Sequence, residues 1–211
     1  MLAGLARSAP PQMDALGNSL GLALAACALG AAVCLLWLAC GPARGDGWVW
    51  LPLVLPALPL ADGQYRLALY ARLDGDWRTV LWGHLLWVVP RMLFILRPAA
   101  PARSAADGCR PHARLGIHAY FLVADPAFAN SPTADRPAVG FSVSIAQYLP
   151  TLWLGAGRIP TLTSRAVALS SGGEAQTLAA QALWQLLLPA VCFTLTALLA
   201  WLAGRYRRGL R

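Results

Sequence analysis

Residues 20–39, LGLALAACALGAAVCLLWLA, run for twenty positions without a charged side chain. At 1.5 Å per residue a helix of that length measures about 30 Å, the thickness of a bilayer's hydrocarbon core. Such a cylinder is apolar on every side and has no wet face to offer, so only lipid or a protein interior surrounds it without penalty. Apolar runs return at 79–96, interrupted by His84 and Arg91, and at 178–202 of this 211-residue chain. Only 12% of the residues are charged against 58% hydrophobic, a charge too sparse for an ordinary water-soluble domain. Lipid is the expected solvent. The expected fold is an all-α, polytopic transmembrane bundle, since helices satisfy their backbone groups internally.

The net charge is +8 and all 17 basic residues are arginine. That balance raises nucleic acid as a partner. The arginines, however, fall between the apolar runs and at the C-terminus, where the positive-inside rule accounts for them, and no nucleic-acid partner is expected. Cys27, Cys34, Cys40, Cys109 and Cys192 show no CxxC spacing, and four of them sit in or beside apolar runs. They read as small packing residues, with neither a metal site nor a disulfide framework, and no cofactor is expected. The first apolar run is long for a signal-peptide core and no tidy cleavage site follows it, so it reads as a retained helix.

In chain order, an N-terminal segment (1–18) precedes three transmembrane helices within 19–97, a cytoplasmic loop (98–137), two further helices within 138–204 and a basic tail (205–211). The first helix closes at Gly41-Pro42, and its Gly and Ala content permits close packing. Residues 48–60 hold Pro52, Pro56 and Pro59, so the second is kinked or broken. Breaks of this sort flank translocation paths in transporters and also occur as plain kinks. Residues 61–78 carry six charges and belong at the surface, with 65–70 as an interfacial helix. Within 79–96, His84 has no carboxylate in its run and reads as an interhelical hydrogen-bonding residue rather than a proton relay. Arg91 lies about 9 Å along the helix from Arg97, close enough to snorkel to the headgroups.

Residues 140–173 organise the rest. The segment starts apolar, is interrupted by Ser142, Ser144, Gln147 and Tyr148, breaks at Pro150 and leaves through a Gly-rich loop or re-entrant piece at 158–173. Polar side chains at bilayer depth are costly unless they face protein or a wet cavity, so these four are the candidate lining of a substrate path. The alternative is that they pack and bond to neighbouring backbone. Arginine counts in the tail and in 98–137 place both in the cytoplasm, giving five helices with the N-terminus outside and the C-terminus inside.

The stretches SVSIAQYLPTLWLGAGRIPTLTSRAVALSSGG (142–173), AAQALWQLLLP (179–189), the RRGLR tail, WLPLVLPALPLADGQYRLALY (50–70) and WGHLLWVVPRMLFILRP (82–98) cover most of the chain. Together they resemble the permease subunits of bacterial binding-protein-dependent ABC transporters, in the branch close to thiamine and ferric-iron importers, with this chain matching a C-terminal half. The resemblance implies a multi-pass protein of the bacterial inner membrane that is not itself an enzyme. It also implies an ATP-binding cassette subunit, a periplasmic substrate-binding protein and a second permease half or homodimer as partners, with membrane lipid around them. No GxxxxGK[ST] phosphate loop is present, and a chain without lysine cannot build one.

Permeases of this class carry a cytoplasmic coupling loop with an Ala-Ala pair and a following glycine, worded in this branch like AARTLGW. Its place here is 98–137, where Ala105-Ala106 with Gly108 is a poor substitute, so the ATPase-coupling residues are unknown. Read one base later, the codons allowed for residues 109–116 can spell Ala-Ala-Arg-Thr-Leu-Gly. Those for 120–127 can spell Phe-Trp-Trp-Arg-Ile-Arg-Leu. The block is therefore a candidate frame-shifted segment, and a non-functional remnant of such a permease is the rival reading. A membrane hydrolase is a third: Ser142, Ser144, His84, His112 and His118 supply residue types, but GFSVS is not a G-x-S-x-G elbow and no catalytic set is expected.

Overall fold

In the computed structural model, residues 9–40, 47–96, 136–170, 172 and 175–208 are described, and all regular secondary structure among them is helical. The first helix, α1 (Ala9–Cys40), begins earlier than the apolar run alone suggests. Pro10 and Pro11 fall in its first turn, where a backbone N–H has no helical acceptor to lose. The buried face of α1 is made mostly of small residues. Ala15, Ala23, Ala26, Ala31 and Cys34 are buried together with Leu22, whereas Leu24, Leu29, Val33 and Leu36 are exposed. A buried face rich in small residues is what lipid-facing helices use when close backbone approach holds them together.

The proline-rich stretch forms two short helices, α2 (Gly47–Val54) and α3 (Ala57–Tyr70), separated by Leu55 and Pro56. Pro56 is extended (φ −58°, ψ 141°) and caps α3 without a side-chain bond. Helix α3 carries an exposed Arg66–Asp62 pair at 2.8 Å on one side and buries Ala61, Gln64 and Ala68 on the other. It ends in a Schellman arrangement. Leu73 N–H donates to the Ala68 carbonyl and Arg72 N–H to that of Leu69, with Arg72 in the left-handed region (φ 55°) where glycine is commoner. Gly75 then takes φ 76° and donates its N–H to the Leu154 carbonyl (2.7 Å), while the Arg158 guanidinium occupies the space a Cβ would need.

Helix α4 (Trp77–Leu96) is the hub, with more than half its residues buried against α1, α2, α5 and α6. Its partner α5 (Arg136–Ile145) lies across both α1 and α4. Gly140 packs so tightly on Met92 that a Cβ there would meet the sulfur at 2.6 Å, and Gly30 of α1 meets Val88 and Met92 from the other side. These glycines form the seam of a three-helix core.

Beyond α5 the chain breaks at Ala146–Tyr148 and resumes as α6 (Leu149–Leu154), packed between α3 and α4. The break falls before Pro150 rather than at it, because a proline in the first turn of a helix is tolerated. Residues 162–170, expected to be loop or re-entrant, form a helix, α7 (Leu162–Ser170). Thr161 and Ser164 cap it reciprocally: Ser164 Oγ accepts from Thr161 N–H (2.9 Å), and Thr161 Oγ1 accepts from Ser164 N–H (3.3 Å). Ser19 of α1 accepts from Leu162 N–H, and Thr163 donates to the Ile145 carbonyl. Those two bonds tie α7 to α1 and to the end of α5.

Last comes α8 (Ala175–Arg208), packed on α7 and on α5, the latter through Leu188 and Cys192 against Phe141 and Ile145. Leu183, Leu186, Leu187, Val191, Leu195, Leu198 and Leu199 are all exposed. Among the described residues three helices are long and apolar enough to cross a membrane: Met13–Leu38, Trp77–Leu96 and Ala175–Leu199. Of the five spans the sequence suggested, these three are continuous. The other two segments are broken, at Leu55–Pro56 and at Ala146–Tyr148, and among the described residues neither holds a helix long enough to cross a membrane.

Candidate functional site

Positions 84, 87 and 91 follow the i, i+3, i+7 spacing that puts side chains on one face of α4, and the α5–α6 break wraps around that face. At its inner end sits His84, 2% exposed. Its Nδ1 lies 2.7 Å from Ser144 Oγ on α5 and its Nε2 2.9 Å from Thr151 Oγ1 on α6. Thr151 also lies 3.1 Å from the Gln147 carbonyl, to which its hydroxyl donates. A hydroxyl has one proton, so Thr151 accepts from Nε2–H, which leaves Nδ1 to accept from Ser144. A neutral ring protonated at Nε2 thus satisfies every atom in the cluster.

This cluster pins both sides of the α5–α6 break to the hub helix. The adjacent Gly83 permits it: a Cβ there would stand 2.4 Å from Leu154 Cδ1 and 3.2 Å from Pro150 Cβ. Although a serine and a histidine in contact suggest nucleophile and base, Ser144 is also 2% exposed and the second imidazole nitrogen is held by threonine rather than a carboxylate. The arrangement is a structural tie, consistent with His84 as an interhelical hydrogen-bonding residue.

Outward from the tie a cleft of about 440 Å³ opens between α3, α4 and the α5–α6 break. Trp87, Arg91, Gln147, Tyr148 and Pro150 line it, with Ala57 on the α3 side. Arg91 is half-buried, lies over the Trp87 ring at 5.4 Å and donates from Nη1 to the Trp87 carbonyl (3.0 Å). Trp87 is 7% exposed and its indole N–H is buried with no acceptor.

The four candidate path residues therefore separate. Gln147 and Tyr148 line the cleft. Ser144 is committed to His84, and Ser142, half-buried, donates to the Ala138 carbonyl of its own helix at 2.7 Å. Trp87 and Arg91 were not among the candidates: the tryptophan drew no attention as an apolar residue, and the arginine read as a headgroup anchor. Their spacing from His84 was the available signal. Among the described residues no group of three or more His, Cys, Asp or Glu could hold a metal ion. The coupling loop expected within 98–137 lies outside the described residues.

No protein-family profile matches the chain. Over its whole length it is 53% identical, across 220 aligned positions, to the inner membrane ABC transporter permease protein YnjC of Escherichia coli K12. It spans 42% of that protein's length. The helices, the outward-facing leucines and this similarity describe one thing: a multi-pass membrane protein, helical throughout its described regular structure, that matches, end to end, part of an inner membrane ABC transporter permease.

Proposed function

We propose that the chain is a membrane-spanning portion of an ABC importer, of the thiamine and iron type in its sequence wording, that passes a small solute across the inner membrane while a partner subunit hydrolyses ATP. The observation that carries this reading is the 53% identity to a permease over all 211 residues. The cleft supports it, because it lies where two discontinuous helices meet, the setting in which transporters place their solutes. Gln147 and Tyr148 contact the solute in this reading, with Ser144 as a positioning residue and Ser142 a neighbour on the same helix. The partners are an ATP-binding cassette subunit, a periplasmic binding protein and a second permease half or copy. The orientation is N-terminus out and C-terminus in.

The rival is a remnant that inserts but does not transport, favoured by the missing coupling words in 98–137. Co-expression with a cognate ATPase subunit separates the two. A working permease resists carbonate extraction and brings the ATPase through affinity purification in detergent; an inserted chain that never retains it is a remnant. Resequencing codons 98–138 tests the frame shift itself, and an unbroken frame without compensating insertions or deletions removes that idea.

A further inference from the structure

The charge lining the cleft is one-sided. Arg91 brings a guanidinium whose N–H groups can only donate, while the neutral Gln147 and Tyr148 side chains can donate or accept. Among the described residues no Asp or Glu lines the cleft, and the Arg66–Asp62 pair lies on the exposed side of α3. A positive charge half-buried with no carboxylate among the described lining residues is costly as it stands. An acceptor-rich anion answers that deficit, since a planar oxyanion takes two parallel N–H bonds from arginine. A cation meets repulsion from Arg91 in the same space. The volume is within the range of small-molecule sites, and the Trp87 and Tyr148 rings supply apolar wall for a flat solute.

We propose that this cleft receives a small solute bearing an oxyanion group (carboxylate, phosphate or sulfonate), with Arg91 as the residue that selects its charge. The proposal rests on reading the cleft as part of the passage, and it narrows the solute to an anion. A lipid phosphate offers the same chemistry as a free solute, so the test has to separate the two.

The full chain, in nanodiscs of pure phosphatidylcholine, is titrated with phenyl phosphate and separately with benzyltrimethylammonium, following tryptophan emission and heat. Saturable binding of phenyl phosphate and none of the cation is the expected result. Arg91→Gln is expected to weaken the anion at least about tenfold, and Arg91→Lys to recover most of it, as a charge-assisted contact requires. No saturable anion binding, equal binding of the cation, or an Arg91→Gln chain that binds like the parent overturns the proposal. Should Arg91→Gln fail to fold, the anion-to-cation comparison on the unaltered chain decides alone.

Repeating the titration in nanodiscs containing phosphatidylglycerol addresses the lipid. Abolition of phenyl phosphate binding there makes the cleft a headgroup seat and overturns the solute reading, whereas persistence supports it. A chain that binds the anion but never retains an ATPase keeps this inference and loses the permease reading. One that retains the ATPase and ignores the anion does the reverse.

Discussion

Helices α4 and α8 are both apolar and both long enough to cross a bilayer, yet they live in opposite surroundings. Most of α4 is buried among other helices, while no residue in the most apolar stretch of α8 is buried. Their side chains differ accordingly. Helix α4 carries Gly83, His84 and Arg91 at bilayer depth, each answered by a neighbour or facing the cleft. Helix α8 past its first turns turns leucine and valine outward. Hydropathy makes both of them spans. What separates hub from outer helix is where the small and polar residues fall, because only protein neighbours repay a close approach or a buried hydrogen bond.

The sharpest way to break that comparison is to add volume to each helix. A Cβ at Gly83 already collides with Leu154 and Pro150, so Gly83→Val is expected to cost about 3 kcal/mol or more, through overpacking at a seam with no room to open. Ala197→Leu on α8 adds the same three carbons, but into lipid, and is expected to change stability by less than about 0.5 kcal/mol. Thermal unfolding in detergent, followed by retention of monodisperse protein, reads both. Equal tolerance at the two sites would mean that α4 is no more enclosed than α8.

Next in size is the polar tie. His84→Ala removes two interhelical hydrogen bonds and leaves the Ser144 and Thr151 hydroxyls facing a void. A loss of about 1–3 kcal/mol is expected, nearer the lower figure because hydrogen bonds within membranes are individually modest. Thr194→Ala on α8 removes only a bond to the Val191 carbonyl of its own helix and is expected to be close to neutral. A double-mutant cycle between His84→Ala and Ser144→Ala checks the tie directly. Additive effects would show that the two side chains do not act together.

The same contrast explains how much of this structure was legible in the sequence. Long apolar runs announced α1, α4 and α8 because a lipid solvent acts on nearly every residue of a span alike. Three prolines announced the break between α2 and α3. By contrast, Pro150 misplaced the other break by a few residues, since a proline suits the start of α6 as well as the end of α5. The polar wording TLTSR hid α7, although Thr161 and Ser164 are cap residues at the right spacing. Nothing in the chain order links His84 to residues 60 and 67 positions away, and whether Arg91 reaches lipid headgroups or a cleft depends on which neighbours surround its turn of helix. Facing is a property of packing, and sequence reports it only indirectly.

The smallest expected effect bears hardest on the membrane reading. Leu195→Ala on α8 removes an exposed leucine, and in water-soluble terms an exposed apolar residue gains little from its surroundings. In a bilayer the outcome is also small, but for another reason: lipid chains close over the shortened side chain as readily as they met the long one. A change below about 0.5 kcal/mol is expected in detergent or nanodiscs, against about 2–5 kcal/mol for Leu154→Ala, whose side chain is fully enclosed. If Leu195→Ala destabilised the chain as strongly as Leu154→Ala, the outer face of α8 would be buried against protein, and the distinction between hub and outer helix would have to be redrawn around a second copy or subunit covering it.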